Sequence, residues 1–234
     1  MDNLTPRLEK ILSMFEPCLC LADIGSDHGY LVSQAVIRGV ALRGIAVEIN
    51  RAPFIQTKKT ISEKGLTDKI EVRFGDGVGC ILPNEIDALC IAGMGGKSMI
   101  SILTLGKEKL TTVEQLVLQP NLDTAEVRQF FLNNGFIIID DELVEDSSYI
   151  YQVIKAKPSQ THCNYTPMEL HYGRFNLIRK SPLLQKVLER DLSVYMKILH
   201  QLRIAEGPYV AARRTELHKR VKLLEEQLEN RSEA

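Results

Sequence analysis

The 234-residue sequence predicts an α/β chain: a mostly parallel seven-stranded sheet with helices on both faces, followed by a C-terminal hairpin of two long helices. Three observations carry this. Short apolar runs of strand type alternate with helix-length stretches as far as residue 156. The last two runs are joined by only a short polar connection, and beyond residue 166 leucines recur at helical spacing instead. With 44% hydrophobic and 25% charged residues, the composition excludes a disordered tail or a fibre. No apolar run approaches the roughly 18 residues of a membrane span. The opening MDNLTPRLEKIL has no signal-type core, so a cytoplasmic chain with no membrane partner is expected. Five cysteines without zinc-type pair spacing read as reduced thiols, with no metal expected.

Taken in order, Thr5-Pro6 caps an amphipathic helix with Leu8, Ile11, Leu12 and Phe15 on one face. Strands are expected at 19–24, 44–49, 70–75, 86–92, 115–119, 136–141 and 149–156. The first five are spaced for crossovers, and Gly39 and Gly65 sit where the intervening helices should stop. The connection at 140–148 suits an antiparallel hairpin at the sheet edge, hence one reversed strand. Residues 157–166 read as a linker around Pro158. Thr166-Pro167-Met168-Glu169 has capping-box order, and Ser181-Pro182 repeats the cap-proline signal. The stripe Leu184, Leu188, Tyr195, Ile198, Leu199, Leu202 and the stripe Val210, Leu217, Val221, Leu224, Leu228 flank Gly207-Pro208, as two packed helices require.

The strand ends carry the chemistry. The first ends in Asp23-Ile24-Gly25-Ser26-Asp27-His28-Gly29-Tyr30 and runs into an apolar helix. Glycines there let the backbone approach a ligand, and the helix N–H groups face it. Glu48 closes the second strand 23 residues beyond Gly25, where a carboxylate bonds ribose hydroxyls. Both features also suit a nicotinamide enzyme. Asp27 separates the two, because its charge opposes a pyrophosphate and favours a cofactor bearing an ammonium and a sulfonium, S-adenosylmethionine. The third strand ends Gly75-Asp76-Gly77, with a carboxylate to accept from an adenine amino group. The fourth ends Ala92-Gly93-Met94-Gly95-Gly96, whose small residues keep a cleft open, and the fifth ends Gln119-Pro120-Asn121, whose amides suit a nucleobase edge. Ligands of such sheets bind outside the carboxyl ends of the strands.

On LADIGSDHGYL at 21–31, AVEIN at 46–50, GDG at 75–77, IAGMGG at 91–96, LVLQPN at 116–121, Val127-Arg128 and GFIIIDDELVEDSSYIYQVI at 135–154, the sequence resembles the bacterial tRNA (adenine-N1)-methyltransferases that modify adenine 22. The likeness covers 1–156 and continues more loosely beyond. It implies a class I, Rossmann-like S-adenosylmethionine-binding domain over 1–157 and a coiled-coil-like, RNA-contacting domain over 158–234. The implied product is S-adenosylhomocysteine, the partner tRNA, and the expected state a monomer. Under it, Arg7, Asp23, Gly25, Ser26, His28, Glu48, Ile49, Asn50, Asp76, Gly77, Ala92, Gly93 and Met94 hold the cofactor. Gly29 departs from the alanine more often found there.

Adenine N1 keeps a free lone pair at neutral pH, so no base need precede attack. Positive charge passes to the purine during transfer, and Asp27 is the candidate to stabilise it. The base must leave its stack, to be read by Gln119 and Asn121 and covered by Tyr30. His28 packs on the cofactor or satisfies the turn, with a general-base role the weakest reading.

The net charge of −1 hides an asymmetry. Residues 1–156 carry 15 Lys+Arg against 21 Asp+Glu, or −6, and residues 157–234 carry 14 against 9, or +5. The basic end suits a polyanion, with Lys180, Lys186, Arg190, Arg213, Arg214, Lys219 and Arg220 as phosphate contacts, and Lys197, Arg203 and Lys222 beside them. Two other readings remain at this stage: the same chemistry on another nucleic acid or a small acceptor, and a non-catalytic RNA-binding protein with a relic cofactor site. The unbroken Gly25, Glu48, Asp76 and LQPN argue against the relic.

Overall fold

The computed structural model describes residues 4–110, 112–204 and 206–232. They form two compact units, Met1–Gly173 and Arg174–Ala234. In the first, helix α1 (Pro6–Ser13) leads to strand β1 (Cys18–Ile24), and Thr5 caps the helix by accepting from the Leu8 N–H. Then follow α2 (Tyr30–Ile37), β2 (Ala41–Glu48), α3 (Arg51–Glu63), β3 (Ile70–Phe74), β4 (Ala88–Gly95), α4 (Gly96–Leu105), β5 (Gln115–Leu122), α5 (Thr124–Asn133), β6 (Phe136–Asp146), β7 (Tyr149–Pro158) and α6 (Pro167–Tyr172).

The strands make one seven-stranded sheet in the order β3-β2-β1-β4-β5-β7-β6. β1 to β5 pair in parallel, and β7 runs antiparallel to both β5 and β6. The expected reversed strand is therefore β7, inserted between β5 and the edge strand β6. Central strands covered on both faces must be apolar throughout, and β1 is buried at every position but Leu19. Ile11 and Leu12 of α1, Phe15 just beyond its end, Val32 and Ala35 of α2 and Ile61 of α3 share a core with Leu21, Cys90, Val117 and Val153 of the sheet. The helices α4 and α5 contact each other and bury Met99, Leu103, Val127 and Phe131.

Of the boundaries that differ from expectation, among them β2 starting at Ala41 rather than 44 and β4 at Ala88 rather than 86, three bear on the rest of the structure. β4 and β5 do not stop at residues 92 and 119 but stay paired through Met94 with Pro120 and Gly95 with Leu122, with register shifts around Met94. A bulge of this kind accommodates a proline that cannot donate to the ladder. The hairpin connection is also shorter, because β6 keeps pairing to Asp146 and leaves only Ser147 and Ser148 at the turn, Ser147 at φ +58°. The acids of 140–146 thus lie on an edge strand, where charge discourages further strand pairing. Finally, the first unit extends to Gly173 rather than ending at 157, because α6 packs on α5.

The second unit holds α7 (Arg174–Arg179), α8 (Pro182–Gln201) and α9 (Pro208–Ser232). The expected caps form: Thr166 and Glu169 make a reciprocal capping box on α6, and the Ser181 hydroxyl accepts from the Leu184 N–H on α8. α8 packs on α9, with Leu184, Val187, Leu188, Leu217, Val221 and Leu224 buried. Tyr195, Ile198, Leu199 and Leu202 are only half-buried. The seam between the two helices is thus buried at the first six of these positions and half-buried toward the turn that joins them.

Candidate active site

The chain leaves β1 at the carboxyl edge of the sheet and turns sharply. Gly25 takes φ +71°, and a Cβ there would overlap the Met94 methyl. Asp27, His28 and Gly29 follow at φ +34°, +68° and +71° before α2 begins. Consecutive left-handed residues are costly outside glycine, and hydrogen bonds hold the turn. The Val47 carbonyl accepts from the Gly25 N–H at 2.9 Å, and the Glu48 carboxylate at the end of β2 accepts from the Asp27 N–H. Glu48 is buried, and one of its oxygens is committed to the turn.

Polar atoms around this turn are buried without partners. They are Asp23 Oδ2, Ser26 Oγ and His28 Nδ1. Burial, reinforced by the Glu48 charge, pushes the Asp23 carboxyl up to about 7, against the Cys90 thiol that donates to it. Burial also raises Glu48, while the Asp27 N–H pulls it down. The His28 ring stacks on Tyr30 with centroids 5.5 Å apart, and its Nε2 lies 3.5 Å from Asp27 Oδ1.

Two clefts meet at Gly25 and Met94. One, of about 530 Å³, is lined by Asp23, Ser26, Asp27, His28 and Tyr30, with Ala92, Gly93, Arg7, Asn121 and Tyr151 opposite. The other, of about 540 Å³, is lined by Ile49, Asp76 and Gly77 together with Val47, Ser98 and Ser101. The Met94 side chain lies over Gly25, where the two would otherwise join.

Opposite the turn, α1 and β5 make a polar chain. The Arg7 backbone N–H donates to Asp146 at 3.2 Å, and its guanidinium lies 5.4 Å from the Tyr151 ring centre. The same guanidinium donates to Gln119 Oε1 at 2.6 Å. Gln119 Nε2 donates to Asn121 Oδ1 at 3.0 Å, and Asn121 Nδ2 donates to the Gly93 carbonyl at 2.7 Å.

Most expected site residues therefore converge on the two clefts. Three do not line either: Gln119 is fully buried behind Arg7 and Asn121, Glu48 is turned to the loop, and Asn50 is exposed at the start of α3. Gln119 cannot reach a base edge from there, which corrects the role expected from its amide. Tyr151 was missed by the sequence reading. Its signal was the reversed strand itself, because the first residues of an antiparallel strand lie at the edge where parallel strands end. Among the described residues, no group of three or more His, Cys, Asp or Glu side chains is arranged to hold a metal ion.

A family model for tRNA (adenine(22)-N(1))-methyltransferase matches residues 21–230. The chain belongs to this family. It is 33% identical over 233 residues to the tRNA (adenine(22)-N(1))-methyltransferase of Bacillus subtilis, covering 97% of this chain and 98% of that one. The crystal structure of the B. subtilis m1A22 tRNA methyltransferase superposes with a TM-score of 0.90 at 32% identity, over 97% and 99% of the two chains. A putative tRNA (m1A22) methyltransferase of Streptococcus pneumoniae, solved in complex with S-adenosyl-L-methionine, matches at a TM-score of 0.87 and 26% identity, over 97% of this chain and 100% of that one.

In this tRNA methyltransferase family member the expected RNA-facing cations lie in the second unit and are not equivalent. Arg213 and Arg220 both pair with Glu216 at 2.7 Å, Arg190 pairs with Asp191 at 3.0 Å, and Lys180 Nζ donates to the Asn230 carbonyl at 3.1 Å. Lys197, Arg203 and Lys219 are exposed and outside these pairs. Lys186 is exposed and Arg214 half-buried.

Proposed function

We propose that the protein methylates N1 of adenine 22 of tRNA with S-adenosylmethionine as donor, and that the cradle around Gly25 holds the donor. The observation that carries this is the set of unpartnered atoms at the turn, above all Asp23 Oδ2, in a cleft lined by a second carboxylate at Asp27. Such a cleft repels a pyrophosphate and suits an ammonium group. The Ser26 hydroxyl and His28 Nδ1 supply further polar contacts, and the guanidinium of Arg7 supplies the cation for a carboxylate. Asp76 and Ile49 in the adjoining cleft fit an adenine amino group and an apolar ring face. The residues present thus fit the whole donor, once Met94 swings off Gly25.

When bound, the donor supplies an electrophilic methyl group on a sulfonium. The protein then has three tasks. Tyr30, 38% exposed beside His28, gives a ring face for the extruded adenine. Asn121, at the cleft edge, meets its polar edge. Asp27, its carboxylate open to the cleft, offsets the positive charge that develops on the purine. Alignment of nucleophile and methyl, rather than proton removal, accounts for the acceleration. The exposed cations of the helical unit fit the tRNA backbone.

The reading extends to a monomeric enzyme of the cytosol. Supporting the monomer, α8 and α9 bury Leu184, Val187, Leu188, Leu217, Val221 and Leu224 within one chain. Among the described residues no helix is long and apolar enough to cross a membrane.

The test is incubation of the purified protein with radiolabelled donor and tRNA transcripts, followed by nucleoside analysis. Labelled 1-methyladenosine is expected, and it disappears when adenine 22 is changed to guanine. Donor binding without any label in tRNA would reject the acceptor.

A further inference from the structure

The polar chain from Arg7 to the Gly93 carbonyl has a fixed direction. An arginine side chain has donors only, so Gln119 must turn Oε1 toward Arg7 and Nε2 away from it. A carbonyl has acceptors only, so Asn121 must turn Nδ2 toward Gly93 and Oδ1 away from it. The bond between the two amides then runs from Gln119 Nε2 to Asn121 Oδ1, the one sense compatible with both ends. Neither amide can flip alone without setting two donors or two acceptors against each other. Gln119 is fully buried, so such a mismatch would find no water to relieve it.

We propose that Arg7, Gln119 and Asn121 form a directed relay that couples the donor side of the cleft to the acceptor side, with Gln119 as a positioning residue that touches neither ligand. The proposal rests on the methyltransferase reading for the identity of the ligands at its two ends. Arg7 is held by Asp146, by Tyr151 and by Gln119, and it lines the cleft in which a ligand carboxylate would sit. A carboxylate that draws the guanidinium tightens or loosens its bond to Gln119. That change passes to Asn121, whose Oδ1 keeps a second lone pair to accept from the adenine amino group. Binding at one end therefore alters the geometry at the other, and the effect is reciprocal.

Two substitutions separate the halves of the relay. Gln119→Glu keeps an acceptor for Arg7 but puts a second acceptor against Asn121 Oδ1, which forces the Asn121 amide to turn. Gln119→Leu removes both bonds at similar volume. S-adenosylhomocysteine affinity is measured by calorimetry, kcat with saturating donor and tRNA, and melting temperature as a check of folding. The expected result is a kcat about 10-fold lower for Gln119→Glu and for Asn121→Ala, with no further loss in the double variant, because both act on the same amide. Affinity for S-adenosylhomocysteine falls about 5-fold in Gln119→Leu, as Arg7 loses its anchor, and stays within about 2-fold in Asn121→Ala.

Losses that multiply in the double variant, an unchanged kcat in Gln119→Glu, or an unchanged affinity in Gln119→Leu would each overturn the relay. The affinity arm needs no RNA. If the unsubstituted protein bound S-adenosylhomocysteine and methylated no tRNA, the functional reading would fail, and the affinity arm alone would decide the relay.

Discussion

At Asp23, burial and the charge of Glu48 hold a carboxyl near pH 7 that would ordinarily titrate about three units lower. Because this value lies above that of the unfolded chain, the retained proton stabilises the empty fold fully below about pH 4. That contribution is lost as pH rises through 7. A cation entering the cleft favours the carboxylate, so its binding releases a proton below pH 7. Affinity for S-adenosylhomocysteine should therefore fall as pH drops from 7 to 5.5, approaching tenfold per unit. Asp23→Asn should weaken binding at pH 8 by about tenfold and flatten this dependence in a calorimetric titration. An unaltered pH profile in that variant would assign the proton elsewhere. At Gly25 the positive φ and the Met94 methyl leave no room for a side chain. Gly25→Ala should cost at least tenfold in donor affinity and also lower the melting temperature by a few degrees, because alanine is strained at this φ. Asp23, Gly25 and Asp27 were legible in the sequence because a strand-to-helix turn fixes where its residues go. The burial of Gln119 was not, because it depends on α1 returning to β5 across a sequence separation of 112 residues.

Among the elements, α5, β6, β7 and α6 meet at Arg128. Its side chain is fully buried, donating to the Leu170 carbonyl at 2.8 Å and to Gln152 Oε1 at 2.8 Å, with Asp141 at 3.5 Å. Removing one member of a buried ion pair strands the other. Arg128→Ala should destabilise the first unit by about 3–5 kcal/mol, read from its urea transition. Gly173 stands against the same pair at φ +89°, and a Cβ there would overlap the Asp141 carboxylate. Gly173→Ala should destabilise by a comparable route while leaving the Thr166 cap at the other end of α6 intact. Thr166→Ala, by contrast, removes one capping bond and should cost about 1 kcal/mol. Strands and caps of these elements were legible from period and turn chemistry. The place where the first unit ends was not, because Pro158 and a polar run look like a linker whether or not the helix after them docks.

Over the whole molecule the charge is unevenly distributed, −6 over residues 1–156 and +5 over residues 157–234, and the proposed tRNA contacts lie on the basic portion. Affinity for tRNA should fall steeply with salt, and Lys219→Ala should lower the slope of log K against log salt by about one. Arg213→Ala should change it less, since Glu216 already holds that charge. An equal effect of the two would mean that tRNA breaks the ion pair. The strand succession of the sheet was readable from one chain alone, but its lateral order was not, and that order has a consequence in time. β7 lies between β5 and β6, so during synthesis β6 emerges with no strand to join until residues 149–158 follow it. The backbone of Arg7 is tied to Asp146, and its side chain lies over Tyr151. Helix α1 therefore cannot take its final seat until residues 146–158, far along the chain from it, have been made, and the cleft it closes is completed only with β7.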